Sequence, residues 1–474
     1  MSKHTKYSPA LIGFYVISVM LCFLVFKQSD LTHTYTSSYA YLSGHILDFY
    51  DYNKPYMVRN DYLPLMYVIF ALWNLPLELL GLLTPADLGE ATWQLSTPLE
   101  ILWSKLMLST FFLGCVILLA KISRLIDPKK PDDMGSPSLL LATSPIALFA
   151  VFIFSQYDVI GVFFTLLGLY AYFQKQFLRF AFFFSVAISF KYFACFIYLP
   201  LVLLIEKRLL HLIKFGIIGI GITVLQIAIY WHSTVFQESF FFLAGTKTGD
   251  AMHRGKAIYI AIIYAVLCSY AYVSRVKLVL QEREWTIKAI LICIFAYALM
   301  FALVRWHPQW LIILMPFFAL VTPYIRHQKI FLSYELVAYV AFIWLCVNTW
   351  PGNVDVTMAQ EGILHGYIPA FNWLGGDVLS PEAKGVAQAI FYIYLFSPII
   401  FWVAENRTQA MTVLRRFARM RVVENAVLSS SSNIPTSSFR SSSIATSWDI
   451  YGPRVLVGCY FFLVITLICL YFSS

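Results

Sequence analysis

The sequence predicts an all-α polytopic membrane protein with about 13 transmembrane helices and additional helices on the external surface. Of its 474 residues, 60% are hydrophobic and only 12% are charged, whereas a soluble domain is about half apolar and about a quarter charged. The apolar residues are gathered into runs that are long enough to cross the ~30 Å hydrocarbon core, some of them as short tilted helices. The basic residues are scattered through the loops between these runs and form no phosphate-binding patch, so we expect membrane lipids and no nucleic acid among the partners.

The predicted spans are apolar runs separated by short polar loops. They lie near residues 9–26, 100–120, 136–154, 158–173, 179–190, 192–205, 215–231, 257–274, 288–304, 309–324, 330–348, 387–404 and 454–472. All eight cysteines fall inside such runs and lack the close spacing of metal ligands. We therefore expect no disulfide framework and no zinc site. We also predict no metal and no cofactor.

The apolar run at 62–83 is ambiguous, because it is long enough to cross the membrane but contains Pro64, Pro76 and Glu78. The distribution of Lys and Arg along the chain indicates whether this run crosses the membrane, since cytoplasmic loops are enriched in these residues. If the run does not cross and the N-terminus is inside, 24 of the 34 basic residues lie in the cytoplasm, whereas counting it as a span would place most of them outside. We therefore interpret 62–83 as a re-entrant or surface helix, and 27–99 as one external loop.

This external loop begins with a long polar stretch, KQSDLTHTYTSSYAYLSGHILDFYDYNKPYMVRND at 27–61. Its apolar side chains recur at helical spacing, which predicts an amphipathic helix with Tyr35, Tyr39, Leu42, Ile46 and Phe49 on one face. The opposite face carries Ser37, Ser38, His45 and Asp48. An acidic surface helix joined to the end of a span has no evident structural purpose, so the loop is the first candidate for a functional site.

The C-terminal part of the chain is organised differently. Residues 1–404 form the predicted transmembrane core. Residues 405–453 form a cytoplasmic segment that contains a basic amphipathic helix (414–427) and a flexible serine-rich linker. Residues 454–474 form the last span, which places the C-terminus outside.

Polar residues that interrupt the spans collect on the predicted external side. They are Asp30 after the first span, Gln156, Tyr157 and Asp158 in a tight turn, Lys191 between two short helices, and Arg305, His307 and Gln309 in VRWHPQW. Lys191 joins two helices of about a dozen residues, which are too short to cross alone. This predicts a lysine at the floor of a cavity that is open to the outside, and an ionisable group at such a depth is functional by default. Two alternatives stay open: Asp158 as the N-cap of the next helix, and Arg305 as a side chain that reaches lipid phosphate.

A carboxylate that faces several cations has a defined chemical use. Transfer of a sugar from a lipid phosphate to a hydroxyl needs a carboxylate to accept the acceptor proton. It also needs cations where negative charge grows on the departing phosphate. One carboxylate suffices for an inverting displacement, whereas a retaining mechanism uses a second, nucleophilic carboxylate close to the first.

The same residues resemble a known family. The early acid and the surface helices of the first external loop are followed by YLPLMY, SQYDVIGVFFTLLGLYAYF, FKYF…YLPLVLL and RWHPQW. Together they resemble the GT-C superfamily of polyprenyl-phosphate-sugar glycosyltransferases over residues 9 to about 350. The similarity is greatest to the bacterial mannosyltransferase type and looser to the eukaryotic enzymes that extend dolichol-linked glycans. The stretch SDLTHTY departs from the family's frequent paired acids, because His33 stands in place of the second acid.

The resemblance implies an inverting hexosyltransferase at the outer face of the plasma membrane. Its donor is a polyprenyl-phosphate-linked sugar and its acceptor is a lipid-linked or cell-wall glycan. Asp30 matches the family's general base by position. We expect Lys191, Arg305 and His307 to bind the donor phosphate, and His33, Asp48, Tyr50, Tyr62, Gln156, Tyr157, Asp158 and Gln309 to bind the substrates. Asp48 is equally explained as part of a solvated helix face. The alternatives in function are a transporter or flippase of lipid-linked sugars, and a glycan polymerase.

Overall fold

All the regular structure in the described part of the chain is helical. The computed structural model describes residues 8–55, 62–83, 97–127, 136–242, 255–274, 282–304, 307–350, 352, 354–364, 367–368, 380–405 and 447–473. No strand occurs within these ranges. The predicted all-α class is therefore confirmed. The predicted basic helix and serine-rich linker lie outside the described residues.

Helices make up most of the described first half of the chain. They are α1 (Pro9–Val25), α2 (Ser29–Ser37), α3 (Tyr39–Leu42), α4 (Phe49–Asn53), α5 (Pro64–Leu79), α6 (Pro98–Ile126), α7 (Pro137–Ala142), α8 (Pro145–Leu148), α9 (Asp158–Phe173), α10 (Phe177–Phe190), α11 (Cys195–Ile205) and α12 (Leu209–Tyr230). A π-helical turn, Phe149–Ile153, continues α8, and a 3₁₀ turn, Tyr192–Ala194, precedes α11.

The helices of the second half complete the bundle. They are α13 (234–242), α14 (Lys256–Val273), α15 (Glu282–Leu303), α16 (Met315–Val321), α17 (Gln328–Thr349), α18 (Pro381–Glu405), α19 (Ser447–Val455) and α20 (Phe461–Ser473). Short 3₁₀ turns lie at Pro308–Ile313, Thr322–Tyr324 and Val356–Ala359, and a π-helical turn, Leu456–Tyr460, joins α19 to α20.

Several described helices are long and apolar enough to cross a membrane. Seven satisfy both conditions: Pro98–Ile126, Leu209–Tyr230, Lys256–Val273, Trp285–Leu303, Gln328–Thr349, Pro381–Glu405 and Ile450–Tyr471. The segment Pro9–Val25 gives an eighth when it is taken together with Ser29–Leu42, from which it is bent by 71°. The chain is therefore a multi-pass membrane protein, while its thirteen crossings stay a prediction. Other expected spans form shorter helices, because prolines and polar residues such as Pro308 and Lys191 interrupt their hydrogen bonding.

The prediction of one amphipathic helix over residues 35–49 is wrong, because this stretch is divided among α2, α3 and α4. A turn with Gly44 at φ 88° separates α3 from α4, and Ile46 is 58% exposed, contrary to its predicted place on the buried face. Glycine adopts this left-handed conformation without a steric cost. Ser37 and Ser38, which the pattern placed on the polar face, are buried, and their hydroxyls donate to backbone carbonyls three or four residues earlier. Such local bonds compete with regular helix and explain the break.

The ambiguous run at 62–83 contains one short helix, α5, of 16 residues. Its length of roughly 24 Å is less than the thickness of the hydrocarbon core. It packs against α2 and α3 of the same loop. Leu72 and Leu79 on its outer side are 65% and 78% exposed. An exposed apolar side on a short helix suits a position at the membrane surface.

The external position of the whole loop can be tested by thiol labelling. We expect cysteines at Lys54 and Leu82 to react with an impermeant reagent from outside, and a cysteine at Arg208 to react only after permeabilisation. All three positions are exposed, so reactivity reports the side of the membrane. The background carries Cys195→Ser, because this native cysteine is also exposed. Reaction at only one of the two external positions would show that 62–83 crosses the membrane.

A buried ion pair attaches the end of the chain to the bundle. Arg454 of α19, the first residue of the predicted last span, is 3% exposed and pairs with Glu335 of α17. Its guanidinium also donates to the hydroxyl of Thr143 at 3.2 Å and to the carbonyl of Leu140 at 2.7 Å. The planar fork of arginine fits several acceptors at once, so this buried charge is fully compensated.

Candidate functional site

The site is built on the C-terminal end of α1, which Lys105 holds in place. Lys105 is 1% exposed, and its ammonium donates to the carbonyls of Cys22 and Phe26 at the end of α1. It also donates to the carbonyl of Phe152 at 3.2 Å, in the π-helical turn. The unpaired carbonyls at a helix end carry partial negative charge, which a buried cation compensates. One lysine thus joins the two segments that lead to Asp30 and to Gln156.

Asp30 lies in the first turn of α2, directly after the bend that follows α1. Its backbone amide donates to the side chain of Gln28, the N-cap, at 2.6 Å. Its carboxylate Oδ2 accepts a hydrogen bond from Gln156 Nε2 at 3.3 Å, and the residue is half-buried. The N-terminus of a helix and a hydrogen-bond donor both favour the ionised form of a carboxylate. The structure therefore joins two of the predicted regions through Asp30 and Gln156.

The turn that carries Gln156 has an unusual backbone. It follows a π-helical turn, and Ser155 has φ 61°. The amide of Gln156 donates back to the carbonyl of Ala150 at 3.0 Å, and the hydroxyl of Tyr157 accepts from Thr34 of α2 at 2.9 Å. Both π-turns and non-glycine residues with positive φ are concentrated at functional sites. Here they direct Gln156 and Tyr157 towards α2.

Lys191 and Asp158 form an ion pair on the other side of this turn. Lys191 Nζ lies 2.9 Å from Asp158 Oδ1, and the two side chains are 10% and 0% exposed. The lysine has an extended backbone between α10 and the following 3₁₀ turn, so the predicted break occurs at this residue. The N-cap interpretation of Asp158 is wrong: Tyr157 is the N-cap and Asp158 begins α9 with its side chain turned to Lys191. Its Oδ2 makes no hydrogen bond to a described residue.

Aromatic rings surround the ammonium of Lys191. Its Nζ lies 5.1 Å from the ring of Tyr62, 5.2 Å from that of Trp310 and 5.7 Å from that of Phe193. Each distance is within the range of cation–π attraction. Aromatic rings also form stacking surfaces for sugars. The three rings around Lys191 therefore stabilise its charge, and rings of this kind can also stack against a sugar.

Three further ring contacts extend the site, one towards Asp30 and two around His307. The ring of Tyr62 lies 5.2 Å from that of Tyr157, on the side of Asp30. The ring of His307 lies 4.9 Å from that of Trp310 and 5.6 Å from that of Trp350. A continuous series of contacts thus connects Asp30 with His307, and it brings together residues from all four predicted regions. Arg305 lies outside the described residues.

The other predicted residues have different surroundings. Tyr50 is buried, and its hydroxyl donates to the carbonyl of Tyr62 at 2.7 Å. It therefore holds the backbone of Tyr62 in place. Asp48 is 59% exposed and pairs with His45 at 2.8 Å, and this hydrogen bond lowers the pKa of its carboxyl. His33 is a half-buried residue of α2. Gln309 is buried, and its Oε1 has no hydrogen-bond partner in the described ranges.

Two charged residues near Asp30 were missed by the sequence analysis. Lys27 is 3% exposed and donates to Thr32 Oγ1 at 2.6 Å. Glu361 belongs to the loop between α17 and α18, and its charge acts on Lys27. The sequence contains a positional signal for both residues. Lys27 precedes Asp30 by three residues, and Glu361 lies in a predicted external loop, as Asp30 does.

A small cavity lies beneath the Lys191–Asp158 pair, between α9, α10, α15 and α16. Its walls include Gly161, Thr165 and the buried Tyr297, whose hydroxyl has no hydrogen-bond partner among the described residues. It has room for roughly one water molecule. Such a space is too small to hold a sugar.

The described residues show no metal site, and no similar protein was found. Within the described ranges, no group of three or more His, Cys, Asp or Glu residues is arranged to hold a metal ion. Comparisons with protein-family models, curated proteins and solved structures found no match. The fold and the site thus define the chain as a multi-pass α-helical membrane protein, in which an acid and a paired cation share one end of the bundle.

Proposed function

We propose that this protein is an inverting glycosyltransferase that moves a sugar from a polyprenyl phosphate to a lipid-linked or cell-wall glycan at the external face of the plasma membrane. The observation that carries the proposal is the arrangement around the 156–158 turn. Asp30 contacts one side of this turn, and the Lys191–Asp158 pair with its aromatic rings lies on the other. A base and a phosphate-binding cation are the two groups that the reaction needs.

In this reaction Asp30 accepts the proton of the acceptor hydroxyl. The hydroxyl oxygen forms a bond to the anomeric carbon while the bond from that carbon to the phosphate oxygen breaks, and the phosphate leaves with the electron pair. Gln156 keeps the Asp30 carboxylate oriented. Lys191 and His307 stabilise the charge on the departing phosphate, and Arg305 suits the same task through its permanent charge and its fork of donors.

The rival function, transport of lipid-linked sugars, would use ionisable residues at membrane depth. Among the described residues outside the proposed site, Lys105, Glu335 and Arg454 are buried ionisable residues of helices. Lys105 contacts three carbonyls and Arg454 pairs with Glu335. These residues are engaged in holding helices together, so they favour a structural role over a transport pathway.

The assay that separates these functions uses purified protein in liposomes with radiolabelled polyprenyl-phosphate sugars and membrane acceptor lipids. We expect a covalent glycan product with one donor of a panel, and inverted configuration at its anomeric carbon. Movement of the labelled lipid across the bilayer without a product would support a flippase. A requirement for a diphosphate-linked oligosaccharide would support a polymerase. Retained configuration at the anomeric carbon would contradict the inverting mechanism, because retention needs a second carboxylate that acts as a nucleophile.

A further inference from the structure

The loop between α17 and α18 packs directly on the end of α1. The amide of Lys27 donates to the carbonyl of Met358 at 3.0 Å. Gly362 approaches the chain so closely that a Cβ atom there would lie 2.0 Å from the carbonyl oxygen of Val25. No side chain can replace hydrogen at such a distance, so glycine is required. This contact places the neighbouring residue, Glu361, beside the segment that carries Asp30.

Glu361 is surrounded by charges of both signs. Burial raises the pKa of its carboxyl to about 7; the positive charge of Lys27 opposes this rise, and the negative charges of Asp30 and Asp355 add to it. Burial lowers the pKa of Lys27, and the negative charge of Glu361 opposes this change. The Oε2 atom of Glu361 is enclosed and has no hydrogen-bond partner within the described ranges. Titratable groups on the surrounding described elements include Cys22 on α1, His33 and Tyr35 on α2, Lys105 on α6 and Cys469 on α20.

We propose that Glu361, which the packing of its loop on the end of α1 places beside the Asp30 segment, is a positioning residue of this site that acts on Asp30 through its charge and makes glycosyl transfer depend on pH. The pH dependence of transfer rests on the function proposed above, whereas the charge coupling between the two carboxyls does not. An ionised Glu361 raises the affinity of the nearby Asp30 for a proton, because like charges disfavour each other's ionisation. A base with a higher proton affinity takes the acceptor proton more readily.

The sign of the effect follows from the two ionisation states. Below neutral pH Glu361 is protonated and neutral, so Asp30 is a weaker base. Above neutral pH Glu361 is ionised, and Asp30 is a stronger base that still carries its own charge. We therefore expect the rate of transfer to rise with pH through the pKa of Glu361. Because a base with a lower proton affinity accepts the acceptor proton less readily, loss of the Glu361 charge is expected to lower the rate by up to about tenfold.

The coupling can be measured without any assay of activity. Infrared titration of the full-length protein in detergent should show a carboxyl that ionises near pH 7. This signal should disappear in Glu361→Gln, and its midpoint should fall in Asp30→Asn, because a repelling charge has been removed. Glu382→Gln is the matched control, since it neutralises an exposed acid in α18. A midpoint that is unchanged in Asp30→Asn would overturn the proposal.

The pH profile of transfer gives the second readout. Glu361→Gln should flatten the rise near neutral pH and lower the rate at pH 8 by up to about tenfold. Glu361→Asp keeps the charge and should retain the rise, which a purely structural role of Glu361 would not predict. If Asp30→Asn is inactive but Glu361→Gln has the wild-type profile, the inference on Glu361 is wrong and the proposed function stands. If Asp30→Asn is fully active, the proposed role of Asp30 is wrong, whatever the infrared titration shows.

Discussion

Asp30→Asn is expected to lower the turnover of glycosyl transfer by about 10²–10⁴-fold, the range for loss of a general base. Asparagine has the same shape as aspartate and can still accept a hydrogen bond from Gln156 through its side-chain oxygen, so the fold should be preserved. It cannot accept the acceptor proton. Donor binding should be unchanged, because the base contacts the acceptor and not the phosphate. Turnover with labelled donor, together with donor binding measured separately, checks this expectation.

The matched control for this variant is Asp51→Asn. Asp51 lies in the same external loop and is exposed, so the same substitution there tests the effect of lost negative charge alone. We expect nearly wild-type turnover from it. Asp48→Asn is the informative comparison, since Asp48 was a predicted substrate residue and pairs with His45. Loss of activity in Asp48→Asn, with normal activity in Asp30→Asn, would place the base in the distal part of the loop.

The parts of the site that the sequence predicts are those set by local chain properties. The break at Lys191 follows from one charged residue that interrupts a long apolar run. The position of Asp30 follows from its place directly after the first span. In both cases the informative residues are neighbours in sequence, so a pattern within a short window was sufficient.

The errors come from interactions between distant residues and from turns. The spacing of apolar residues continues across Gly44, but the helix does not. Periodicity alone therefore predicted one long helix where the chain forms separate short helices. The alternative of Asp158 as an N-cap stayed open because its partner, Lys191, lies further along the chain, after α10. Glu361 was missed because its link to Asp30 depends on how the last external loop packs on α1. No local pattern contains such a contact.

Lys191→Met is expected to lower the free energy of unfolding by about 3–5 kcal/mol, the usual cost of removing one partner of a buried ion pair. The reason is that Asp158, whose side chain is 0% exposed, would lose its only ion-pair partner among the described residues. Asp158→Asn leaves the lysine unpaired and should also destabilise the protein. The double variant Lys191→Met/Asp158→Asn removes both charges, so we expect its stability to return most of the way to wild type. Thermal unfolding in detergent measures all three, with Lys214→Met as a control at an exposed lysine.

The same three variants separate a structural role of Lys191 from a role in catalysis. If Lys191 stabilises the departing phosphate, its loss should lower turnover by about 10²–10³-fold, as for other preorganised groups that stabilise a transition state. The double variant should then be stable but as inactive as Lys191→Met, while Asp158→Asn, which keeps the lysine, should retain far more activity under conditions where it is folded. Recovery of both stability and turnover in the double variant would show that Lys191 serves only to neutralise Asp158. The donor phosphate would then have to be bound by His307 and Arg305, without the cation that lies nearest to the turn carrying Gln156.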